Sequence, residues 1–110
     1  MQKISIEALA RQQLKAAALA PSGRAADTVF GGHEKVMRQT VIGIVAGTLM
    51  SEHENPGEAT IYVVEGRIRL LSGDDHWDAR TGDLLIVPDR RHSVEALEDS
   101  AIIMTVAKKP

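Results

Sequence analysis

The sequence contains 110 residues, of which 44% are hydrophobic and 25% charged, and its formal net charge is −2 at pH 7. This length and apolar content suit one domain with one core and leave no room for a useful second domain. The charge balance and the few aromatic residues argue against a nucleic-acid or anionic-membrane binder, and the absence of cysteine excludes disulfide frameworks, thiolate zinc sites and thiol nucleophiles.

The N-terminal part of the sequence predicts one helix over residues 5–19. Ser5 suits the N-cap, Glu7 lies in the first turn, where a carboxylate favours the helix dipole, and an alanine-rich stretch with three leucines follows. The helix is expected to end at Pro21. Residues 24–35 show little periodicity and contain a Gly31-Gly32 pair, which predicts a connecting segment with one short strand at 28–30.

The start of the chain carries no targeting pattern. Its first ten residues, MQKISIEALA, lack the long apolar region of a secretory signal, and no stretch approaches the roughly 20 apolar residues that a membrane span needs. We therefore expect a cytoplasmic protein without a membrane or nucleic-acid partner.

From residue 37 onward the sequence predicts short β-strands. These segments are rich in β-branched residues and are separated by turn residues such as Glu65-Gly66 and the run 72–75. The predicted strands cover residues 40–46, 60–64, 67–71, 84–87 and 101–106. Several short strands after one helix predict an all-β sandwich or barrel.

Some of these strands differ in the polarity of their two faces. Arg67 and Arg69 alternate with apolar residues, so one face of their strand is wet, whereas residues 84–87 and 102–104 are apolar on both faces. Because one helix cannot cover several strands, we expect a second copy of the chain to cover them in a homodimer. The alternative is that they are central strands of a two-sheet sandwich.

Two segments of the β-rich region carry the most specific pattern. Residues 47–66 read GTLMSEHENPGEATIYVVEG, and residues 82–94 read GDLLIVPDRRHSV. Together they resemble the two motifs of the cupin superfamily, and the resemblance extends over residues 47–106. It implies an antiparallel jelly-roll β-barrel, usually dimeric, so that residues 1–36 form the helix and connecting arm and residues 37–110 form the barrel.

The first motif of that superfamily supplies two histidines and a glutamate to a divalent metal inside the barrel. Two ligands separated by one residue on a strand face the same side, which is why a His-x-His pair suits this site. Here His53 stands at the first position, and Asn55, a poor ligand for a transition metal, stands at the second. The family's spacing to Gly66 assigns the glutamate to Ala59, which has no donor, and Glu58 lies one residue earlier.

The second motif supplies one further histidine. Pro88 keeps the family's spacing from Gly82, but Arg90 replaces a glycine and His92 comes one position early. A bulge near residues 56 and 57 would turn Glu58 into the barrel, because an extra residue in a strand reverses the faces that follow. The candidate metal ligands are therefore His53, His92 and Glu58.

Two interpretations of this set remain open. The resemblance implies one divalent transition metal, such as Zn, Fe, Mn or Ni, if three ligands meet, whereas two histidines alone imply weak binding or no cofactor. In the second interpretation His53, Asn55 and His92 line a small polar pocket. Gln39, near the start of the first long strand, is a further candidate for this pocket.

Other residues carry weaker signals. His33 lies in a connecting segment and His76 beside a turn, which are positions typical of surface histidines. Arg90 and Arg91 suit either an anionic substrate group at the mouth of the barrel or a solvated loop balanced by nearby acids. Tyr62 lies on the strand face opposite to residues 59, 61 and 63, which predicts an outer-layer or dimer contact.

Two functions follow. The main hypothesis is a small-molecule binding or sensing module with an incomplete metal site, because Ala59 offers no donor where the family has its carboxylate. The alternative is a metal-dependent enzyme of the dioxygenase or isomerase class that acts on a small organic substrate, which the resemblance implies where the ligand set is complete.

Overall fold

The chain folds into one helix followed by two antiparallel β-sheets. The computed structural model describes residues 2–53 and 57–108, except for the side chains of Glu52 and His53. The elements are α1 (Ile6–Leu19), β1 (Arg24–Phe30), β2 (Met37–Ile44), β3 (Leu49–His53), β4 (Gly57–Glu65), β5 (Arg67–Ser72), β6 (Asp75–Arg80), β7 (Leu84–Ile86), β8 (His92–Ala96) and β9 (Ser100–Lys108). Sheet A has the order β1-β2-β9-β4-β7, and sheet B has the order β3-β8-β5-β6.

The inner faces of the two sheets pack against each other and form a jelly-roll barrel. Alternate residues of each strand point inward, so that Ile61 and Val63 of sheet A and Ile68 and Leu70 of sheet B are fully buried. The buried cluster contains Ile42, Ile44, Met50, Ile61, Val63, Ile68, Leu70, Ala79, Val87, Val94, Ala96 and Ile102. The prediction of an all-β barrel preceded by a short helix is therefore confirmed.

Most of the strands are longer than the sequence patterns predict, and the strands are more numerous. Strand β1 begins at Arg24 and pairs with β2 from Arg24↔Ile44 onward, so the connecting segment contributes the edge strand of sheet A. Strands β3, β6 and β8 fall outside the predicted strands. Each has five or six residues and mixes polar with apolar side chains, so none has the run of β-branched residues that marks β2, β4 and β9.

Helix α1 begins and ends where its capping residues predict. The Ser5 hydroxyl accepts a hydrogen bond from the Ala8 amide at 3.2 Å, which satisfies one of the free amides of the first turn. The last helical residue is Leu19, just before the turn that contains Pro21. Over residues 2–53 and 57–108, no helix has the length and hydropathy that crossing a membrane requires.

Helix α1 packs on the outer face of sheet A, where it contacts β1, β2 and β9. Ala10 and Ala17 of the helix are buried in this contact, as is Val41 of β2. Gly43 allows the closest approach, because a Cβ atom placed there would meet the backbone of Gln13 and lie 2.7 Å from the amide nitrogen of Leu14. The helix thus covers the β1-β2-β9 side of the sheet and leaves most of β4 and β7 uncovered.

Replacing Gly43 by alanine should destabilise the fold. The added methyl group meets helix backbone rather than a flexible side chain, so the helix must move, and overpacking of this kind costs about 1–3 kcal/mol. The measurement is urea denaturation of the purified variant. Gly32→Ala is the control, because the nearest atom to its added methyl group is 3.9 Å away and neither glycine has a positive φ. Equal stability of the two variants would contradict this account of the helix contact.

Candidate functional site

The candidate site lies at the end of the barrel where β3 ends, β8 begins and the β5–β6 hairpin turns. Cross-strand pairing aligns His53 with His92 and Ser72 with Asp75 at this end of sheet B. The loop of residues 87–91 leads from β7 into β8 beside them. We call this end the mouth and define it by Ser72, Asp75, Trp77, Arg90 and His92.

His92 is the buried titratable group of the mouth. It is the first residue of β8, and it shares its strand face with Val94 and Ala96 of the core, which leaves only 3% of the residue exposed. Its Nδ1 atom lies 3.0 Å from the carbonyl oxygen of Arg90. Because a carbonyl oxygen can only accept, Nδ1 carries the proton and donates this hydrogen bond. The neutral form of His92 is thereby fixed as the tautomer with an unprotonated Nε2.

Ser72 anchors the loop above His92. It continues the inward alternation of Ile68 and Leu70 along β5, and it is 2% exposed. Its hydroxyl donates a hydrogen bond of 2.7 Å to the carbonyl oxygen of Arg91. The sequence analysis missed Ser72, although a polar residue at a position that alternation assigns to the core is the signal that finds it.

Strand β3 brings one of the first-motif candidates, His53, to this end. His53 is the last residue of β3, and its backbone lies opposite His92 after a register shift beyond Met50. Its side chain lies outside the description, and so does the whole of Asn55. The backbone pairing therefore brings the two histidine positions of the sequence analysis together.

Glu58 and Ala59 take opposite faces of β4. The pairing of β4 with β9 is regular from Gly57↔Lys108 to Val63↔Ile102, so no bulge reverses the faces in this stretch. Ala59 packs against the core, whereas Glu58 is exposed. Glu58 lines a groove of about 400 Å³ on the outside of the barrel, together with residues that include Thr60, Ile86 and Asp89.

Gln39 also lies on the outside of sheet A. Along β2, Gln39 lies on the face opposite to Thr40 and Ile42. It pairs with Thr105, whose hydroxyl accepts a hydrogen bond of 3.2 Å from the Gln39 side-chain amide. Ile42 belongs to the core, so the neighbouring face that carries Gln39 and Val41 points away from the interior. Gln39 and Glu58 are therefore separated from His92 by the sheet.

The remaining candidates lie at the surface. His33 and His76 are both exposed, as their positions beside turns predict. Arg90 contacts Asp75, with 3.0 Å between Nη2 and Oδ2, and its guanidinium carbon lies 6.0 Å from the centre of the Trp77 ring. Asp75 and Trp77 were not among the sequence candidates, because their place at the mouth depends on the β5–β6 register.

A second ion pair on the outer face of sheet B has a different geometry. Arg69 and Asp78 are cross-strand partners and form two parallel hydrogen bonds, of 2.7 and 3.1 Å. The Arg69 hydrogen bond holds the pKa of Asp78 below its ordinary value, and the hydrogen bond to Asp78 raises the pKa of Arg69. Both acceptor oxygens of Asp78 are engaged, so this pair is a closed structural contact.

Comparison with known proteins identifies the family. A sequence model of the cupin domain matches residues 40–107, which is more than half of the chain. The chain belongs to the cupin family. No curated protein matches the sequence.

Solved structures share the cupin fold with this chain. A conserved protein of unknown function from Streptococcus pyogenes is 17% identical with a TM-score of 0.73, over 83% of this chain and 79% of that chain. An RmlC-like cupin from Desulfovibrio desulfuricans is 25% identical with a TM-score of 0.67, over 76% and 81% of the two chains. A variant of salicylate 1,2-dioxygenase from Pseudoaminobacter salicylatoxidans in complex with gentisate is 18% identical with a TM-score of 0.76, over 91% of this chain and 32% of that chain.

Cupins often hold a divalent metal, which needs several donor side chains at one place. Among the side chains that the structure describes, no three His, Asp or Glu residues come together in a way that would hold a metal ion. Ala59, to which the sequence resemblance assigns the family's glutamate, has no donor and packs against the core. The described donors do not fit a transition metal, which usually requires three or four good ligands.

The tautomer of His92 is a direct test of the mouth geometry. We expect neutral His92 to carry its proton on Nδ1, because Nδ1 faces a carbonyl oxygen at 3.0 Å. The measurement is the pair of ring-nitrogen chemical shifts in ¹⁵N-labelled protein, with exposed His33 as the internal reference for a solvated imidazole. A dominant Nε2-protonated form of His92 would contradict the hydrogen bond to Arg90.

Proposed function

We propose that this cupin is a small-molecule binding or sensing module whose ligand binds at the mouth and is oriented by His92. The observation that carries the proposal is a buried histidine on the mainly apolar inner face of sheet B, held in one tautomer by the loop above it. Ligand sites are typically apolar cavities with a few fixed polar groups. His92 and Ser72 are such groups among the buried apolar residues of sheet B.

The proposed ligand site includes His53 and Asn55 as further polar groups. The support for His53 is its backbone register opposite His92, and the support for Asn55 is its spacing of two residues from His53. Gln39 and Glu58 take no part in the site that we propose, since they lie on the outer side of sheet A. The proposal thus requires neither a carboxylate ligand nor a bound metal.

A metal-dependent enzyme of the dioxygenase or isomerase class is the second candidate. The specific observation in its favour is the opposition of the two histidine positions, since paired imidazoles are common ligands of Zn, Fe, Mn and Ni. The resemblance in fold to salicylate 1,2-dioxygenase agrees with either candidate, because the same fold hosts many functions.

Two measurements on tag-free protein separate these candidates. For the binding module, we expect metabolites to raise Tm in the presence of a chelator, by roughly 10 °C or more at about 100 times their Kd in a domain of this size. His92→Gln should abolish the rise. Ser93→Ala is the control, because Ser93 lies on the opposite face of β8. One equivalent of transition metal by elemental analysis, lost in His53→Ala, would instead favour the enzyme.

We further propose that the protein is a homodimer in which each copy covers the uncovered side of sheet A. Tyr62 pairs with Leu84, and Ile86 lies next to Leu84 on the same face of the edge strand β7. The exposed fractions of Tyr62, Leu84 and Ile86 are 41%, 57% and 72%. Helix α1 does not cover them, because it packs on the β1-β2-β9 part of the sheet. An uncharged patch with a tyrosine is typical of the centre of an interface, and a two-fold axis brings the same patch of both copies together.

Light scattering tests the dimer. We expect about twice the chain mass of 11.9 kDa at micromolar concentration, and a monomer for Ile86→Lys, because a lysine at the centre of the contact faces its own copy across the axis. Leu49→Lys is the control, since Leu49 is 56% exposed but belongs to sheet B. A monomeric native protein would refute the proposed interface.

A further inference from the structure

Arg90 makes three separate contacts, two with the β5–β6 hairpin and one with the first residue of β8. Its guanidinium group contacts the Asp75 carboxylate and lies over the Trp77 ring. Its backbone carbonyl accepts the hydrogen bond from His92. The same residue therefore connects the surface of the mouth with the buried imidazole beneath it.

The guanidinium group of Arg90 is only partly used. In the described part of the chain it meets a carboxylate through Nη2 alone, and the side chains of Arg90 and Asp75 are 50% and 60% exposed. The Arg69–Asp78 pair, in contrast, uses two nitrogens and both carboxylate oxygens. An arginine presents a planar fork of five N–H donors, so Arg90 keeps donors for a second acceptor.

Trp77 supplies an apolar surface beneath this fork, with 6.0 Å between the guanidinium carbon of Arg90 and the centre of the ring. The register places it next to Leu70 on the inner face of β6, yet 44% of the residue is exposed because β6 is the edge strand of sheet B. An indole ring that is both inward-facing and half exposed offers a stacking surface at the entrance to the interior. A planar group lying against this ring would bring a carboxylate attached to it within reach of Arg90.

We propose that Arg90 and Trp77 recognise a small carboxylate that carries a planar apolar ring, and that Asp75 holds the Arg90 side chain in place until the ligand carboxylate replaces it. This inference rests on the proposed ligand site at the mouth and names the class of molecule that the site takes. Arg90 supplies the charge and a forked pair of donors, Trp77 supplies the stacking surface, and His92 lies below them. The site therefore selects for negative charge and for planarity independently.

Trp77 is the single tryptophan of the chain, so its fluorescence reports on the site directly. The probe is benzoate, added to the full-length protein with excitation at the red edge of tryptophan absorption, where benzoate does not absorb. We expect a saturable change in Trp77 fluorescence that weakens with increasing salt. Benzamide, which keeps the ring without the charge, and acetate, which keeps the charge without the ring, should both bind at least tenfold more weakly.

Two matched variants assign the charge recognition to Arg90. Arg90→Gln should weaken benzoate binding by about tenfold or more, because a charge-assisted fork is replaced by a neutral amide. Arg69→Gln should leave it unchanged, since Arg69 lies on the outer face of the same sheet. Asp75→Asn should strengthen binding by removing the competing carboxylate, an effect that a merely structural role of Arg90 does not predict. Circular dichroism confirms that each variant is folded.

The outcomes separate this inference from the proposed function. No saturable response to benzoate, equal binding of benzoate and benzamide, or equal binding by the native protein and Arg90→Gln would overturn the assignment of a planar carboxylate. If neutral metabolites raise Tm and His92→Gln abolishes that rise, the binding module stands without this ligand class. If benzoate binds with the expected Arg90 dependence while His92→Gln has no effect, the ligand class stands and the role of His92 fails.

Discussion

The packing of sheet A against sheet B is the constraint on which the rest of the molecule depends. Ile44, Ile61, Ile68, Leu70 and Ile102 are fully buried between the sheets, and each such side chain contributes about 1.5–3 kcal/mol relative to an exposed one. Side chains alternate between the two faces along a strand. Once these residues lie on the inner face, the face on which each neighbouring residue of the strand lies is therefore determined. Ser72 and His92 are buried for this reason, since they continue the inward rows that begin with Ile68 and Ala96.

The same constraint decides what lies outside the barrel. Glu58 and Gln39 each stand one residue away from an inward-facing neighbour, Ala59 and Thr40 respectively, and regular pairing with β9 leaves no freedom to reverse them. A carboxylate turned inward at residue 58 would displace Ala59, which packs against the core. The polar groups that define the mouth accordingly belong to sheet B and to the loop that enters it.

Sequence patterns predicted the architecture well, because the core strands have a composition that is typical of β-strands. Residues 60–64 and 101–106 are rich in β-branched residues, and Gly66 marks a turn. These signals were sufficient to predict the barrel. The paired motifs also predicted that His53 and His92 come together, and in the structure the two residues are backbone partners across β3 and β8. The sequence did not indicate on which face of the sheet Gln39 and Glu58 lie. The alternation along a strand assigns residues to faces only once one of them is known to lie in the core.

The contacts of Arg90 were harder to predict for a different reason. They depend on the register of a hairpin whose second strand, β6, is polar and lies at a sheet edge, so its sequence DHWDAR does not indicate which residues face inward. Only the pairing of Leu70 with Trp77 and of Ser72 with Asp75 brings these side chains to the loop of residues 87–91. Arg90 was recognised from its sequence position, whereas its partners were not.

The position of His92 shows how the barrel tolerates a change in the length of this loop. His92 comes one residue early compared with the family's pattern, yet it is buried on the inner face. The pairing of Leu71 with Ser93 and of Leu70 with Val94 sets the register of β8 independently of the residues before it. The loop before the strand makes a tight turn, in which the Arg90 amide donates to the Pro88 carbonyl oxygen at 2.9 Å. The strand thus keeps the histidine in place, and the loop above it, with Arg90 in the place of a glycine, is free to change the chemistry of the mouth.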